Sequence, residues 1–203
     1  MKKCLYRVAY ALYIAALLAT FGPTAKADES NKLTYFTFSQ PVELPGNKVL
    51  PAGTYAFKLM DSAGDRNIVQ VFNKDLTMLY ATILTIPDYR PQPHDKTIVK
   101  FSETAQGGPE AIKEWFYPGD QYGQEFVYPK SRATEIAKES HQSVPSMPSE
   151  LSGNITQPAN NSNAPSVTAM KDAQLKSQNA NGQEASVQQT FGSNPANNSN
   201  NQK

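Results

Sequence analysis

The sequence contains almost no cysteine. Among 203 residues the only cysteine is Cys4, which lies inside an N-terminal segment that we interpret below as an export signal. Once that segment is removed, the rest of the chain has no thiol. The mature chain can therefore form no disulfide, has no thiol nucleophile, and cannot build a zinc or iron–sulfur site on cysteine.

The chain also lacks a strong excess of charge of either sign. It has 19 Lys and Arg residues against 18 Asp and Glu residues. Residues 1–27 hold four of the basic residues and no acidic one, so the remainder carries 15 basic against 18 acidic side chains, a net charge of −3. A mildly acidic chain has no electrostatic attraction to DNA, RNA or an anionic membrane. The composition therefore argues against nucleic acid as a partner.

Residues 1–27 have the parts of a bacterial signal peptide. Lys2, Lys3 and Arg7 form a positive start, and the uncharged, mostly apolar run Val8–Phe21 follows. A helix of this length spans about 21 Å, less than the roughly 30 Å of a bilayer's hydrocarbon core. No other stretch of the sequence approaches the length of a membrane span.

Small residues at Ala25 and Ala27 suit signal peptidase, so we expect cleavage after Ala27. The mature protein is then exported to the periplasm or the extracellular space, with no transmembrane segment. The alternative, in which the signal is kept as a membrane anchor, stays open.

Residues 28–139 predict one small, mostly β domain, because 112 residues are enough for one core and too few for two. Tyr55, Phe57 and Leu59 alternate with small or polar residues, as in a half-buried strand. Seven short strands separated by turns favour an antiparallel β-sandwich or barrel. A short helix is predicted near 131–139.

Five segments of this domain resemble an uncharacterised family of secreted bacterial β-domain proteins. They are LPAGTYAFKL (50–59), NIVQVFN (67–73), ATILTIP (81–87), WFYPGD (115–120) and EFVYPK (125–130). The resemblance spans about Leu33 to Ala137. It implies a secreted β-domain and supplies no catalytic residues.

Residues 140–203 differ sharply in composition. They contain 11 Asn, 11 Ser, 8 Gln and 5 Pro in 64 positions, with Phe191 as the single aromatic residue. Such a segment has little apolar surface to offset the roughly 1–2 kcal/mol per residue needed to order the backbone. We therefore expect a disordered tail that contributes almost nothing to stability, with weak helical spacing only from Val167 to Gln178, through Met170, Ala173 and Leu175.

No motif in the sequence identifies a metal, cofactor or nucleotide site. Asp61 and Asp65 flank a turn but lack the ligand pattern of a calcium loop. His94, the only histidine of the predicted domain, is expected on an exposed loop between prolines. We predict no bound metal and no cofactor.

Four carboxylates lie close together in the sequence: Glu110, Glu114, Asp120 and Glu125. Paired carboxylates could catalyse hydrolysis of an envelope or extracellular polymer. Without a pocket they are expected to be solubilising charges. We therefore predict that the protein is not an enzyme and keep a carboxylate-based hydrolase as the alternative.

Aromatic residues are concentrated between 115 and 128. Trp115 and Tyr117 have the spacing that places two side chains on one face of a strand, where they could form an exposed platform for a glycan or a partner protein. The rival interpretation puts both in the core and leaves Phe116 outside. The sequence thus predicts a non-catalytic binding or structural β-domain, with Trp115 and Tyr117 as its candidate binding residues.

Overall fold

The computed structural model describes residues 32–60, 67–104, 108–156 and 159–187. The expected signal peptide with its cleavage site, the turn with Asp61 and Asp65, and the end of the chain from residue 188 lie outside the described residues.

The described chain forms thirteen strands and three α-helices. The strands are β1 (Thr34–Phe38), β2 (Val42–Leu44), β3 (Lys48–Leu50), β4 (Gly53–Leu59), β5 (Ile68–Asn73), β6 (Leu79–Tyr89), β7 (Ile98–Ser102), β8 (Glu110–Phe116), β9 (Tyr122–Phe126), β10 (Tyr128–Pro129), β11 (Val144–Met147), β12 (Lys176–Gln178) and β13 (Glu184–Ser186). The helices are α1 (Lys130–Ser140), α2 (Ser152–Thr156) and α3 (Pro165–Lys171), with a 3-10 turn at Ser149–Leu151.

Nine strands make the main sheet, which confirms the mostly β fold with antiparallel pairing. Its strands run in the order β1-β4-β5-β6-β9-β8, and β8 also pairs with β7 and, in parallel, with β2 of the hairpin β2–β3. The two ends of the sheet face each other across the core. The ring of Phe36 in β1 lies 6.2 Å from Trp115 in β8, and Phe38 lies 6.1 Å from Phe101 in β7.

An aromatic cluster forms the centre of this core. Phe57 makes edge contacts with the rings of Phe36 at 4.9 Å, Trp115 at 6.3 Å and Phe126 at 6.4 Å. Tyr55, Phe57 and Leu59 in β4 are all buried, as their alternation predicts, but Ala56 between them is buried as well, so β4 is covered on both faces there. Such edge-to-face pairs each add about 0.5–1.5 kcal/mol beyond the area that they bury.

The helix predicted near 131–139 is present as α1 and buries the apolar face expected for it, Ala133, Ile136 and Ala137. A buried ion pair fixes it to the main sheet. The guanidinium of Arg132 binds both carboxylate oxygens of Glu43 in β2, each at 2.7 Å.

The expectation of a disordered tail is wrong for residues 144–187, which we call the C-terminal segment. It contains α2 and α3, and its strands β11–β13 join β10 in a second, four-stranded sheet. Composition alone failed because the few apolar residues of this segment are concentrated at contact positions. Those buried are Val144, Met147, Ile155, Ala159, Val167 and Met170.

The outer face of the main sheet holds the backbone of this segment by polar contacts. The buried side chain of Gln70 donates to the carbonyl oxygen of Ala159 at 2.9 Å. The hydroxyl of Thr82, the register partner of Gln70, contacts the same carbonyl at 3.2 Å and accepts from the Ala159 amide at 3.0 Å. Buried backbone groups require such partners, so this contact ties the C-terminal segment to β5 and β6.

Within the described ranges, no helix is both long and apolar enough to cross a membrane.

Candidate ligand-binding pocket

A pocket of about 250 Å³ opens at one end of the core. It is lined by Lys32, Leu59, Trp115, Tyr117, Asp120, Tyr122, Gly123 and Gln124.

Strand register explains why these side chains meet. Trp115 in β8 is the direct neighbour of Gln124 in β9, so both side chains point to the same face of the sheet. Phe126 and Tyr122, two residues on either side of Gln124, share that face. Phe126 is buried against Phe57, whereas Tyr122 is 68% exposed. The pocket is therefore the place where the core face of β9 opens to solvent.

Trp115 forms the inner wall of the pocket. The expectation that it shares an exposed face with Tyr117 is wrong for Trp115, which is only 1% exposed because rings from β1 and β4 cover it. Tyr117 lies just beyond the end of β8 and is half-buried at the pocket wall. The structure thus brings both predicted residues to one pocket, with the tryptophan at its base.

The indole Nε1 of Trp115 is buried and has no hydrogen-bond partner among the described residues. An unpaired buried donor costs roughly 1–3 kcal/mol, and such groups are rare in native structures. Because the atom itself has almost no accessible surface, an acceptor could reach it only after the surrounding side chains shift.

Phe116 does not follow the rival interpretation either, because it points to the opposite face from Trp115 and is nevertheless buried. Its ring lies against Gly123, with Arg90 and Lys100 above it at 5.3 and 5.7 Å. A Cβ at Gly123 would lie 2.5 Å from Cδ1 of Phe116. Because Gly123 has no side chain, the Phe116 ring of β8 can pack over β9 at this position.

An ion pair borders the pocket. Nζ of Lys32 lies 2.9 Å from Oδ2 of Asp120 and 4.7 Å from the centre of the Tyr117 ring. The two charges cancel, so the pocket wall offers a donor and an acceptor without a net charge.

The amide of Gln124 is also fixed, by a hydrogen bond with the hydroxyl of Thr85 in β6. One end of the amide is held by that bond. The Thr85 hydroxyl donates to Oε1, so the end left for a ligand at the pocket wall is the Nε2 amino group, which donates.

The rim of the pocket is built from two loops that are tied together. The backbone carbonyl of His94 accepts from the Gly119 amide at 2.8 Å, and the carbonyl of Gln121 accepts from the Arg90 amide at 2.9 Å. His94 itself is exposed, as predicted, and its ring bonds only locally, to Lys96.

Of the four predicted carboxylates, the structure brings two together. Glu114 and Glu125 are direct neighbours on β8 and β9, on the face opposite Trp115, and both are buried. Glu110 is exposed at the start of β8, and Asp120 is paired with Lys32. The two neighbouring carboxylates therefore do not line the pocket.

Their surroundings separate the pKa values of the two groups. Burial, followed by the nearby charge of Asp88, raises the pKa of Glu125 to about 8. Burial also raises the pKa of Glu114, but the hydrogen bond from Lys100 and the charge of Lys113 outweigh it, so the pKa of Glu114 is lowered. Lys100 lies 2.6 Å and Lys113 3.0 Å from Glu114.

In the part of the chain that the structure describes, no group of three or more His, Asp or Glu side chains is placed to hold a metal.

A second cavity of about 340 Å³ lies between the start of α1 and the second sheet, where Lys130 pairs with Glu184 at 2.6 Å.

No family model, no curated protein and no solved structure matches this chain. The resemblance to secreted bacterial β-domains stays a prediction.

Proposed function

We propose that this is an exported, non-catalytic binding protein whose β-domain holds a glycan in the pocket at Trp115. The observation that carries the proposal is a pocket whose wall combines aromatic rings with polar groups, from Trp115, Tyr117, Tyr122, Gln124 and Asp120. The predicted signal peptide supports a location in the periplasm or outside the cell, where polysaccharides are abundant ligands.

Sugar chemistry suits this wall better than a purely apolar ligand does. A sugar ring has apolar C–H faces that pack on aromatic rings and a perimeter of hydroxyl groups that both donate and accept. Tyr117 and Tyr122 supply the rings, while Gln124 and Asp120 supply hydrogen-bonding groups. A hydrocarbon would cover these polar groups without offering them a partner, which is unfavourable.

The size of the pocket limits the ligand. Sites for drug-sized molecules occupy about 300–1,000 Å³, and this pocket of about 250 Å³ lies just below that range. We therefore expect it to hold about one sugar ring.

The test is titration of the purified protein with a panel of soluble glycans. Trp115 is the only tryptophan in the sequence, so its fluorescence reports directly on occupancy of the pocket. A binding glycan should change the emission, and calorimetry should give the same affinity. If no glycan changes either signal, the proposal is wrong.

A second experiment tests the pocket wall. Tyr117→Ala removes the half-buried ring at this wall, so glycan affinity should fall about tenfold. Tyr35→Ala, at an exposed position of β1, is the control for loss of an aromatic ring away from the pocket. Unchanged affinity in Tyr117→Ala would contradict the proposal.

The alternative, a carboxylate-based hydrolase, is favoured by one observation, the separated pKa values of Glu114 and Glu125. In such an enzyme a protonated Glu125 would act as the acid and Glu114 as the base. Both side chains are buried on the face away from the pocket, so we favour binding. Release of reducing sugar from a bound glycan, abolished in Glu125→Gln, would instead establish the hydrolase.

A further inference from the structure

We infer that the ligand is a chain of sugars rather than a single sugar, and that the unit next to the pocket packs on the exposed ring pair Tyr89–Tyr122. This inference rests on the proposed function and adds a second subsite to it.

The ring pair continues the pocket wall outward. Tyr89 and Tyr122 are direct cross-strand neighbours at the ends of β6 and β9, with ring centres 5.4 Å apart. Tyr122 also lines the pocket, so its ring belongs to both subsites. The two rings lie on the core face of the sheet, beyond the point where other strands cover it.

Both rings are accessible, with Tyr89 49% and Tyr122 68% exposed. Other exposed apolar side chains of the described residues do not border the pocket. Leu76 and Met78, for example, lie at the opposite end of β6. What distinguishes Tyr89 and Tyr122 is that they contact each other and border a pocket. Paired exposed aromatic rings next to a concave site are typical of binding surfaces.

The backbone that carries the pair is held in place before any ligand binds. The Tyr89 amide donates to the side chain of Asp88 at 2.7 Å, and the amide of the next residue, Arg90, donates to the Gln121 carbonyl on the neighbouring strand end. Binding therefore costs little backbone conformational entropy at this site.

A linear oligosaccharide fits this arrangement. One terminal ring would enter the pocket, and the next ring would present its C–H face to the two tyrosines. The tilt of 51° between the tyrosine rings gives a shallow cradle rather than a flat stack. The geometry therefore assigns Tyr89 to the recognition of chain length and not to the pocket itself.

The experiment compares Tyr89→Ala with the unchanged protein, using glucose with cellotetraose and N-acetylglucosamine with its linear tetramer as probes. In the unchanged protein the preferred tetramer should bind about tenfold or more tightly than its monomer. Tyr89→Ala should lose roughly tenfold in tetramer affinity and keep the monomer affinity, because Tyr89 does not line the pocket. Tyr35→Ala, 51% exposed on β1, is the matched control and should bind like the unchanged protein.

The outcomes separate the two proposals. Equal affinities for monomer and tetramer, or a Tyr89→Ala variant with unchanged tetramer affinity, would overturn the ring-pair subsite and leave the pocket proposal standing. No binding of any probe would overturn both. Binding of a decaproline peptide to the tyrosines in place of the sugars would overturn the sugar-chain inference in favour of a peptide ligand. Thermal melting of Tyr89→Ala should match the unchanged protein, since the residue is half exposed.

Discussion

Glu125 is a buried carboxyl group whose protonation links stability to pH. Its pKa is about 4.5 in the unfolded chain and about 8 in the folded protein. Below pH 4.5 the group is neutral in both states. Between pH 4.5 and 8 only the unfolded state ionises, so stability falls as pH rises. The shift corresponds to at most about 5 kcal/mol.

We therefore expect Glu125→Gln to be close to the unchanged protein in stability near pH 4.5 and clearly more stable at pH 9. Thermal melting of both proteins across this range measures the difference. Glu110→Gln, at an exposed position of β8, is the control. A difference that does not grow with pH would mean that Glu125 is ionised in the folded protein.

Gly123 is the residue on which the packing beside the pocket depends. In Gly123→Ala the new methyl group would meet the Phe116 ring at 2.5 Å and the Trp115 carbonyl at 2.7 Å. We expect a loss of about 1–3 kcal/mol, as for other overpacked sites, measured by urea unfolding. Gly153→Ala, where the methyl group would meet no atom within 4 Å, should cost nothing comparable.

Local patterns predict some residue environments and miss others. The alternation of Trp115, Phe116 and Tyr117 correctly separates the faces of β8. It does not say which face is covered, because β1 and β4 supply that cover from positions far away in the sequence. The same holds for Glu125, which is only 3% exposed and so is not the solubilising charge that the sequence predicts. The unpaired indole has no sequence signal at all.

Among the elements, α1 depends on its ion pair with β2. In Arg132→Met, the carboxylate of Glu43 would remain buried without its partner. Loss of one member of a buried pair typically costs about 3–5 kcal/mol. Urea unfolding should show a loss of unfolding free energy near the lower end of this range, since Arg132 is not fully buried.

The matched control for this element is Glu135→Gln. It removes the other partner of Arg132, at 2.8 Å, but this carboxylate is 62% exposed. Exposed pairs contribute about 0–1 kcal/mol, so the control should change little. Equal effects of the two variants would show that the Glu43 pair is no stronger than a surface contact.

Elements with strong local patterns were predictable, and those that depend on distant partners were not. Strands β4 and β5 and helix α1 carry clear periodicity. The hairpin β2–β3 has no such pattern, since Pro41 and Pro45 on either side of β2 are compatible with either a strand or a turn. Its turn uses left-handed conformations at Gly46 and Asn47, and its partner β8 lies more than 60 residues later. The weak helical spacing from Val167 to Gln178 predicts only part of α3, which ends at Lys171; residues 176–178 form strand β12 instead.

For the whole molecule, the C-terminal segment is an integral part of the fold. We expect deletion of 142–203 to lower the melting temperature by more than about 10 °C, because it removes buried contacts worth several kcal/mol. A chain that ends at Val187 keeps every described residue and is the matched control. An unchanged melting temperature after the longer deletion would restore the original expectation of a dispensable tail.

The contacts of Gln70 and Thr82 with Ala159 also bear on the order of folding. They join positions 89 and 77 residues apart in the chain, so closing these loops is entropically costly. Gln70 and Thr82 also lie side by side only once β5 and β6 have paired. We expect the C-terminal segment to dock last, on a hairpin that has already formed. Both side chains bind main-chain atoms of residue 159, so these hydrogen bonds do not use the Ala159 side chain. A synthetic peptide of residues 144–187 should then be able to dock in trans on a chain that ends before it.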